Sequence, residues 1–286
     1  LIGSAMRHRF SQVDVFATGG FAGNPVAVVH DAVGITTEQM LEITSWTNLS
    51  ETTFLLPPTA PDADYRVRIF SPGRELPFAG HPTLGTCAAW LAAGGRPADA
   101  DVVVQECAAG LVPVRRAAGR LAFAAPPLIR SGPVDDAVLD ERLGRLGLTR
   151  QEVVDAAWID NGPGWMGVLL ASADAVLAVT PPDGPAPGFD VGLAGFHPIG
   201  ADWKIEVRAF FADATGTVRE DPVTGSLNAS LAQWLSAAGR VTAPYVARQG
   251  TVLGRAGRIF VDAADGDLWI GGATTVTISG EIDVGG

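Results

Sequence analysis

The chain repeats itself. Val67-Arg68-x-Phe70, followed by His81-Pro82-x-x-Gly85, returns as Val207-Arg208-x-Phe210, followed by Asp221-Pro222-x-x-Gly225. Each matched pair is 140 residues apart: 207 minus 67, 210 minus 70, 222 minus 82 and 225 minus 85. Thr86 and Ser226, Ala89 and Ala229, and Leu91 and Leu231 continue at the same offset. Ala118-Gly119-Arg120-Leu121 is echoed more loosely by Ala256-Gly257-Arg258-Ile259. Self-similarity at a fixed offset, with Pro and Gly at turn positions, restricts the fold to a duplicated unit. The expected units are an N-terminal lobe over 6–130 and a C-terminal lobe over 150–286, joined by a connection over 131–149. Leu1–Ala5 reads as a cloning remnant before a natural start at Met6.

Periodicity gives each lobe both strands and helices. Alternating segments at Phe10–Phe16, Pro25–Val29, Thr53–Leu56, Tyr65–Phe70, Val102–Glu106 and Arg120–Phe123 predict strands in the first half. Thr37–Asn48 has helical apolar spacing, Pro82–Ala93 predicts a buried helix of small residues, and Asp135–Leu146 predicts a third. The second half follows the same order. Strands are expected at Trp158, Gly167–Leu170 and Lys204–Phe211, a helix at Pro222–Ala238, and strands at Arg258–Val261, Leu268–Ile270 and Thr274–Ile278. The fold class is α+β.

Composition excludes several functions. At a net charge of −11 and with no basic stripe, the chain is unsuited to nucleic acid. No apolar run reaches the roughly 18 residues of a membrane span. With no signal-peptide pattern at its start, the expectation is a cytoplasmic protein without a membrane partner. Two cysteines, Cys87 and Cys107, are too few for a disulfide framework and read as reduced thiols. The four histidines show no ligand spacing, so no metal is expected.

The repeat also points to a site. In each half a strand leads to a helix opening on Pro, a residue suited to the first helical position. That places His81 and Asp221 at equivalent N-caps, expected to face each other across a cleft between the lobes. Helix N-termini there would bind an anion in an otherwise acidic protein. Gly80, Gly85 and Gly225 would admit a ligand close to the backbone, and Thr86 and Ser226 would add hydroxyl donors. Taken singly, Asp221 also reads as a structural cap and His81 as a structural histidine. The pairing of ionisable groups is what suggests acid–base work. Glu51, in Asn48-Leu49-Ser50-Glu51-Thr52-Thr53, is either an exposed loop carboxylate or, if buried, one whose pKa rises toward the working range of a general acid or base.

These blocks resemble the PhzF family of phenazine biosynthesis, within the diaminopimelate epimerase-like superfamily. The likeness rests on Asp14-Val15-Phe16 with Gly23-Asn24-Pro25-Val26-Ala27-Val28, and on Asn48 through Phe54. It continues in Glu75-Leu76-Pro77-Phe78-Ala79-Gly80-His81-Pro82-Thr83-Leu84-Gly85-Thr86 and Glu220-Asp221-Pro222-Val223-Thr224-Gly225-Ser226. The ending, from Gly254-Arg255 through Ile270-Gly271-Gly272 to Gly280-Glu281, also fits.

The resemblance implies two pseudo-symmetric lobes, each a sheet or barrel wrapped around a central helix, and a homodimer. It implies a cofactor-free isomerase that relocates a proton in a small carboxylated, cyclic, amino-acid-like metabolite of secondary metabolism. Glu51 would be the principal acid–base residue, assisted by His81 and Asp221. Gly80, Gly225 and Ser226 would bind the carboxylate, with Asn24, Ser50 and Thr86 as further substrate contacts. The related epimerases use two opposing cysteines, which the matching positions here lack. Two alternatives remain at this stage: a C–C bond hydrolase of an alkylproline-type antibiotic pathway, and a small-molecule-binding protein that kept the fold without the chemistry. Asp160-Asn161-Gly162-Pro163-Gly164-Trp165 is an expected wall of the site, and the Pro/Gly-rich segment Pro181–Phe196 follows no usable pattern.

Overall fold

The computed structural model describes residues 6–213 and 215–285, so the segment read as a remnant lies outside the described residues. The chain divides into two units. One holds everything up to Phe123 together with the segment from Gly271 onward, and the other runs Ala124–Ile270.

The first unit opens with β1 (Met6–Val15), β2 (Asn24–Val29), α1 (Thr37–Thr47), β3 (Thr52–Leu56), β4 (Tyr65–Ser71) and β5 (Arg74–Leu76). It continues with α2 (Gly80–Ala92), β6 (Val102–Cys107), β7 (Gly110–Ala117) and β8 (Arg120–Ala124). The second unit has β9 (Arg130–Gly132), α3 (Asp136–Arg145), β10 (Val153–Asp160), β11 (Met166–Leu170), α4 (Ala173–Ala178) and β12 (Asp190–Phe196). There follow β13 (Ile205–Ala212), β14 (Val218–Asp221), α5 (Gly225–Ala237), β15 (Tyr245–Gln249), β16 (Gly257–Ala264) and β17 (Asp267–Gly272). The last strand, β18 (Thr274–Val284), was read from sequence as part of the second lobe. It pairs antiparallel along the whole of β1, from Met6–Val284 to Val15–Thr274, and so completes the first unit. Residues 131–149, expected as a connection, include α3, whose Leu139 and Leu143 are buried in the core of the second unit.

Strand pairing makes the duplication visible. In the first unit β1–β2 is antiparallel, β2–β3 parallel, β3–β4 antiparallel, β4–β5 a hairpin, β4–β6 parallel and β6–β7 antiparallel. The second unit repeats the series as β10–β11, β11–β12, β12–β13, β13–β14, β13–β15 and β15–β16. The fold is mixed α+β, built twice.

Each sheet presents one face to a buried helix and the other to an outer helix, as strand periodicity demands. On β3, Thr53 meets Thr86 of α2, while its neighbour Phe54 packs edge-on to Phe70 in a cluster with Met40 of α1. α2 can sit inside because Gly80 through Cys87 and Ala89 are all buried, leaving no polar face for solvent. α5 is the counterpart, with Leu227, Ala229, Leu231, Ala232 and Leu235 buried.

The structure shifts the register of the repeat. Phe70 pairs with Glu75 across the first hairpin and Phe210 with Glu220 across the second. The strands keep the offset of 140, but 220 minus 75 and 225 minus 80 are both 145. The second hairpin turn is longer by the difference. Asp221 therefore corresponds to Leu76, and the counterpart of His81 is Ser226.

Candidate active site

In the first unit, α1 leads into the segment that carries Glu51. The helix begins with a capping box between Thr36 and Gln39 and ends at Asn48, whose left-handed φ of 56° turns the chain back. Ser50 and Glu51 follow directly and lead into β3, which is held at its start by Thr52 and Thr53, both fully buried. Glu51 is largely shielded, with 18% of its side chain exposed, and its Oε2 lies 3.4 Å from Nδ1 of His81. The exposed-loop reading of Glu51 is thereby set aside.

His81 is the second residue of α2, and the N-cap is Ala79, which offers no side-chain cap. This corrects the expected N-cap role. Burial pushes the His81 imidazole down to about 3, opposed by a smaller raising effect of a hydrogen bond with the Pro25 backbone. The ring is neutral at ordinary pH, and its buried Nε2 has no hydrogen-bond partner among the described residues. The contact with Glu51 is a carboxyl group beside a neutral imidazole rather than an ion pair. Asn24, almost fully buried, opens β2 just before Pro25. The turn before it is fixed by Asp14, whose two carboxylate oxygens accept from the backbone N–H groups of Ala22 and Gly23, each at 2.9 Å.

Packing also constrains three residues expected near the substrate. A Cβ on Gly85 would stand 2.2 Å from Cγ1 of Val26, and one on Gly80 would stand 2.4 Å from Cζ of Phe123. These glycines let helix and sheet approach each other. Thr86 is fully buried and donates its hydroxyl proton to Thr53 Oγ1 at 2.8 Å.

In the second unit, α5 starts at Gly225 with Thr224 as N-cap, so Pro222 stands outside the helix and Asp221 ends β14. Asp221 is again not the cap that the sequence suggested. Its Oδ2 accepts from Thr224 Oγ1 at 2.6 Å. Ser226, the second residue of α5, accepts from Trp165 Nε1 at Oγ and from Asn161 Nδ2 at its carbonyl, both at 3.0 Å. The expected wall segment thus packs directly on this helix start. Its turn is closed by Asp160 Oδ1, which accepts from the N–H groups of Gly162 and Gly164, both at 2.7 Å.

Sequence reasoning missed Gln249 and Asn228. Gln249 Oε1 accepts from Thr224 N at 3.0 Å and from Asn228 Nδ2 at 2.8 Å. Gln249 Nε2 donates to the Asp221 carbonyl at 3.0 Å and to Thr224 Oγ1 at 2.9 Å. Neither residue belongs to a quoted motif. The signal in the sequence was slight: an uncharged polar side chain at an inward position of a strand or helix. Among the described residues, no group of three or more His, Cys, Asp or Glu side chains is placed to hold a metal ion. No helix among them is long and apolar enough to cross a membrane.

The duplicated α+β unit carries a shielded carboxyl–imidazole pair at one buried helix and a hydrogen-bonded aspartate beside the other. The sequence pattern of the phenazine biosynthesis-like family, PhzC-PhzF, matches residues 13–281, and the chain belongs to that family. It is 34% identical to a trans-2,3-dihydro-3-hydroxyanthranilate isomerase of Pseudomonas aeruginosa, over 90% of each chain. It is 33% identical to antisense-enhancing sequence 1 of Schizosaccharomyces pombe, over 96% of this chain and 98% of the relative. A Bacillus anthracis phenazine biosynthesis protein of the PhzF family shares the fold, with a TM-score of 0.79 at 21% identity, over 97% of this chain and 99% of the other. The chain is a PhzF-family isomerase.

Proposed function

We propose that this isomerase moves a proton within a small carboxylated, amino-acid-like metabolite, using side chains alone. The observation that carries the reading is the 3.4 Å contact between Glu51 and a buried imidazole that burial holds neutral. A carboxylate in that position can take a proton from carbon. The neutral ring lies beside it without adding a positive charge that would suppress its basicity. Returning the proton to another carbon or heteroatom of the same substrate completes an isomerisation with no net change in atoms or electrons.

Substrate contacts are assigned to Asn24, Ser50 and Gly80 in the first unit and to Gly225 and Ser226 in the second, where backbone N–H groups at a helix start, with the Ser226 hydroxyl, suit a carboxylate. Asp221 is assigned a polar group of the substrate. The relative that isomerises trans-2,3-dihydro-3-hydroxyanthranilate supports a cyclic amino acid of that kind.

The test is deuterium uptake. The protein and its Glu51→Gln variant are incubated in D₂O with dihydrohydroxyanthranilate and a panel of cyclic amino acids. Carbon-bound deuterium in a product of unchanged connectivity, absent with the variant, is the expected result. Turnover unaffected by Glu51→Gln would remove Glu51 from the mechanism, and release of a smaller acid would replace isomerisation by C–C cleavage.

A further inference from the structure

The hydrogen bonds around Asp221 have a direction that can be read atom by atom. A backbone N–H only donates and a backbone carbonyl only accepts. Gln249 faces one of each: the Thr224 N–H lies 3.0 Å from one end of its amide and the Asp221 carbonyl 3.0 Å from the other. The amide can therefore be oriented only with Oε1 toward Thr224 N and Nε2 toward Asp221 O. Asn228 agrees, since its Nδ2 gives one proton to the Thr224 carbonyl at 2.9 Å and another to Gln249 Oε1 at 2.8 Å. With Nε2 fixed, its second proton goes to Thr224 Oγ1 at 2.9 Å. The Thr224 hydroxyl is then already an acceptor, and its single proton points at Asp221 Oδ2, 2.6 Å away. That length is typical of a hydroxyl donating to a charged carboxylate. Thr224, Asn228 and Gln249 are all buried, so water does not compete for these bonds.

We infer that Gln249 and Thr224 form a one-way hydrogen-bond relay that keeps Asp221 a proton acceptor. The inference rests on the proposed role of Asp221 at the substrate and adds the chemistry of what it meets. While the relay holds, Oδ2 carries no proton, and donation to the charged form favours the carboxylate. A substrate group that meets the Asp221 carboxylate is then a donor, an ammonium or hydroxyl, and the carboxylate of the substrate is directed elsewhere. Gln249 and Thr224 are positioning residues, acting through Asp221.

Several charged groups on the elements packed around it have partners of their own. On β13 Arg208 pairs with Glu220 of β14, and Glu206 pairs with His197. On β15 the Arg248 guanidinium lies over the Trp203 ring, 4.8 Å from its centroid. Arg255, in the turn after β15, lies alongside Gly250 near the Pro222 carbonyl. None is altered in the following variants.

The test needs no substrate. The full chain is labelled with carboxyl-¹³C aspartate, the Asp221 resonance is assigned by its loss in Asp221→Asn, and its titration is followed. Thr224→Ser, which keeps the hydroxyl, should leave the Asp221 pKa in place. Thr224→Val, which keeps the shape, should raise it by about one unit or more. Circular dichroism checks folding, and Thr224→Ala replaces Thr224→Val should the latter not fold. An Asp221 pKa unchanged in folded Thr224→Val or Thr224→Ala overturns the relay. Failure of the catalytic reading shows separately, as full turnover by Asp221→Asn with the titration shifts intact.

Discussion

Arg208 and Glu220 form a bidentate ion pair one residue before Asp221, with Nε to Oε1 at 2.9 Å and Nη2 to Oε2 at 2.8 Å. The first unit has the same pair in Arg68 and Glu75, at 2.7 Å for both bonds. Surroundings separate them: the side chains are 1% and 5% exposed in the second unit but 29% and 35% in the first. Arg208 also donates from Nη1 to the Val176 and Val179 carbonyls, tying the end of α4 to the hairpin. Breaking a buried pair strands a charge, at about 3–5 kcal/mol. An exposed pair contributes about 0–1 kcal/mol. Urea unfolding should show Arg208→Met destabilised on the larger scale and Arg68→Met on the smaller. Replacing both partners, Arg208→Met with Glu220→Leu, should recover a large part of the loss. Equal losses in the two single variants would show that burial does not separate the pairs.

The His81 ring should govern acid stability. Its folded pKa of about 3 lies below the ordinary value of 6.5, so the unfolded chain takes up a proton that the folded chain refuses. The contribution of the neutral ring is complete above pH 6.5 and falls as pH drops toward 3, by about 1.4 kcal/mol per pH unit. The His30 pKa is lowered too, chiefly by burial, and acts in the same sense. Denaturant midpoints measured from pH 7 to pH 4 should fall less steeply in His81→Asn than in the unaltered chain. By NMR, the ring should remain neutral at pH 5. An imidazole that titrates near 6.5 in the folded protein would contradict this account.

Gly85 should be required for packing rather than for binding. A methyl group there would overlap Val26 Cγ1, 2.2 Å away, and would stand 3.1 Å from Val15 Cγ2. β2 and α2 would have to separate, and overpacking of this kind costs about 1–3 kcal/mol. Gly85→Ala should unfold at lower urea, and Gly85→Ala with Val26→Ala should regain stability. The folded fraction should keep its affinity for substrate; a selective loss of affinity would return Gly85 to the binding surface.

Much of the fold was legible because the two halves obey the same periodicities. The apolar run Thr53–Leu56 announces a strand, and the small residues frequent in α2 announce a buried helix. The hairpin turn was not legible. Its length changes between the halves without disturbing either flanking motif, so one offset carried across it matched His81 to Asp221, whereas the position equivalent to His81 is Ser226. Terminal pairing was hidden for a different reason. Nothing local to Thr274–Val284 says that its partner is β1, more than 250 residues earlier, because strand pairing is decided by the fold as a whole. The motif blocks located Glu51, His81 and Asp221, whose residue types are chemically conspicuous. The groups around Asp221, namely Thr224, Asn228 and Gln249, are ordinary polar residues whose meaning lies in which way each hydrogen bond points.

Ser226 should contribute to substrate affinity through its hydroxyl proton. The Trp165 indole N–H occupies a lone pair of Ser226 Oγ at 3.0 Å, so the hydroxyl acts as acceptor toward Trp165 and retains its own proton to donate. Placed second in α5, that proton adds to the backbone N–H groups that the proposal assigns to the substrate carboxylate. A hydrogen bond to a charged group is worth about 1.5–3 kcal/mol, or roughly 10- to 100-fold in binding. Ser226→Ala should therefore raise KM on that scale with a smaller effect on kcat, because the carboxylate is held equally in ground and transition states. Ser226→Thr should retain most of the affinity. Trp165→Phe, which removes the indole donor but leaves the hydroxyl, should have an intermediate effect, as the serine loses only its orientation. Should Ser226→Ala lower kcat while KM stays constant, the hydroxyl would belong to the proton-transfer step, and the carboxylate would have to be placed on other donors.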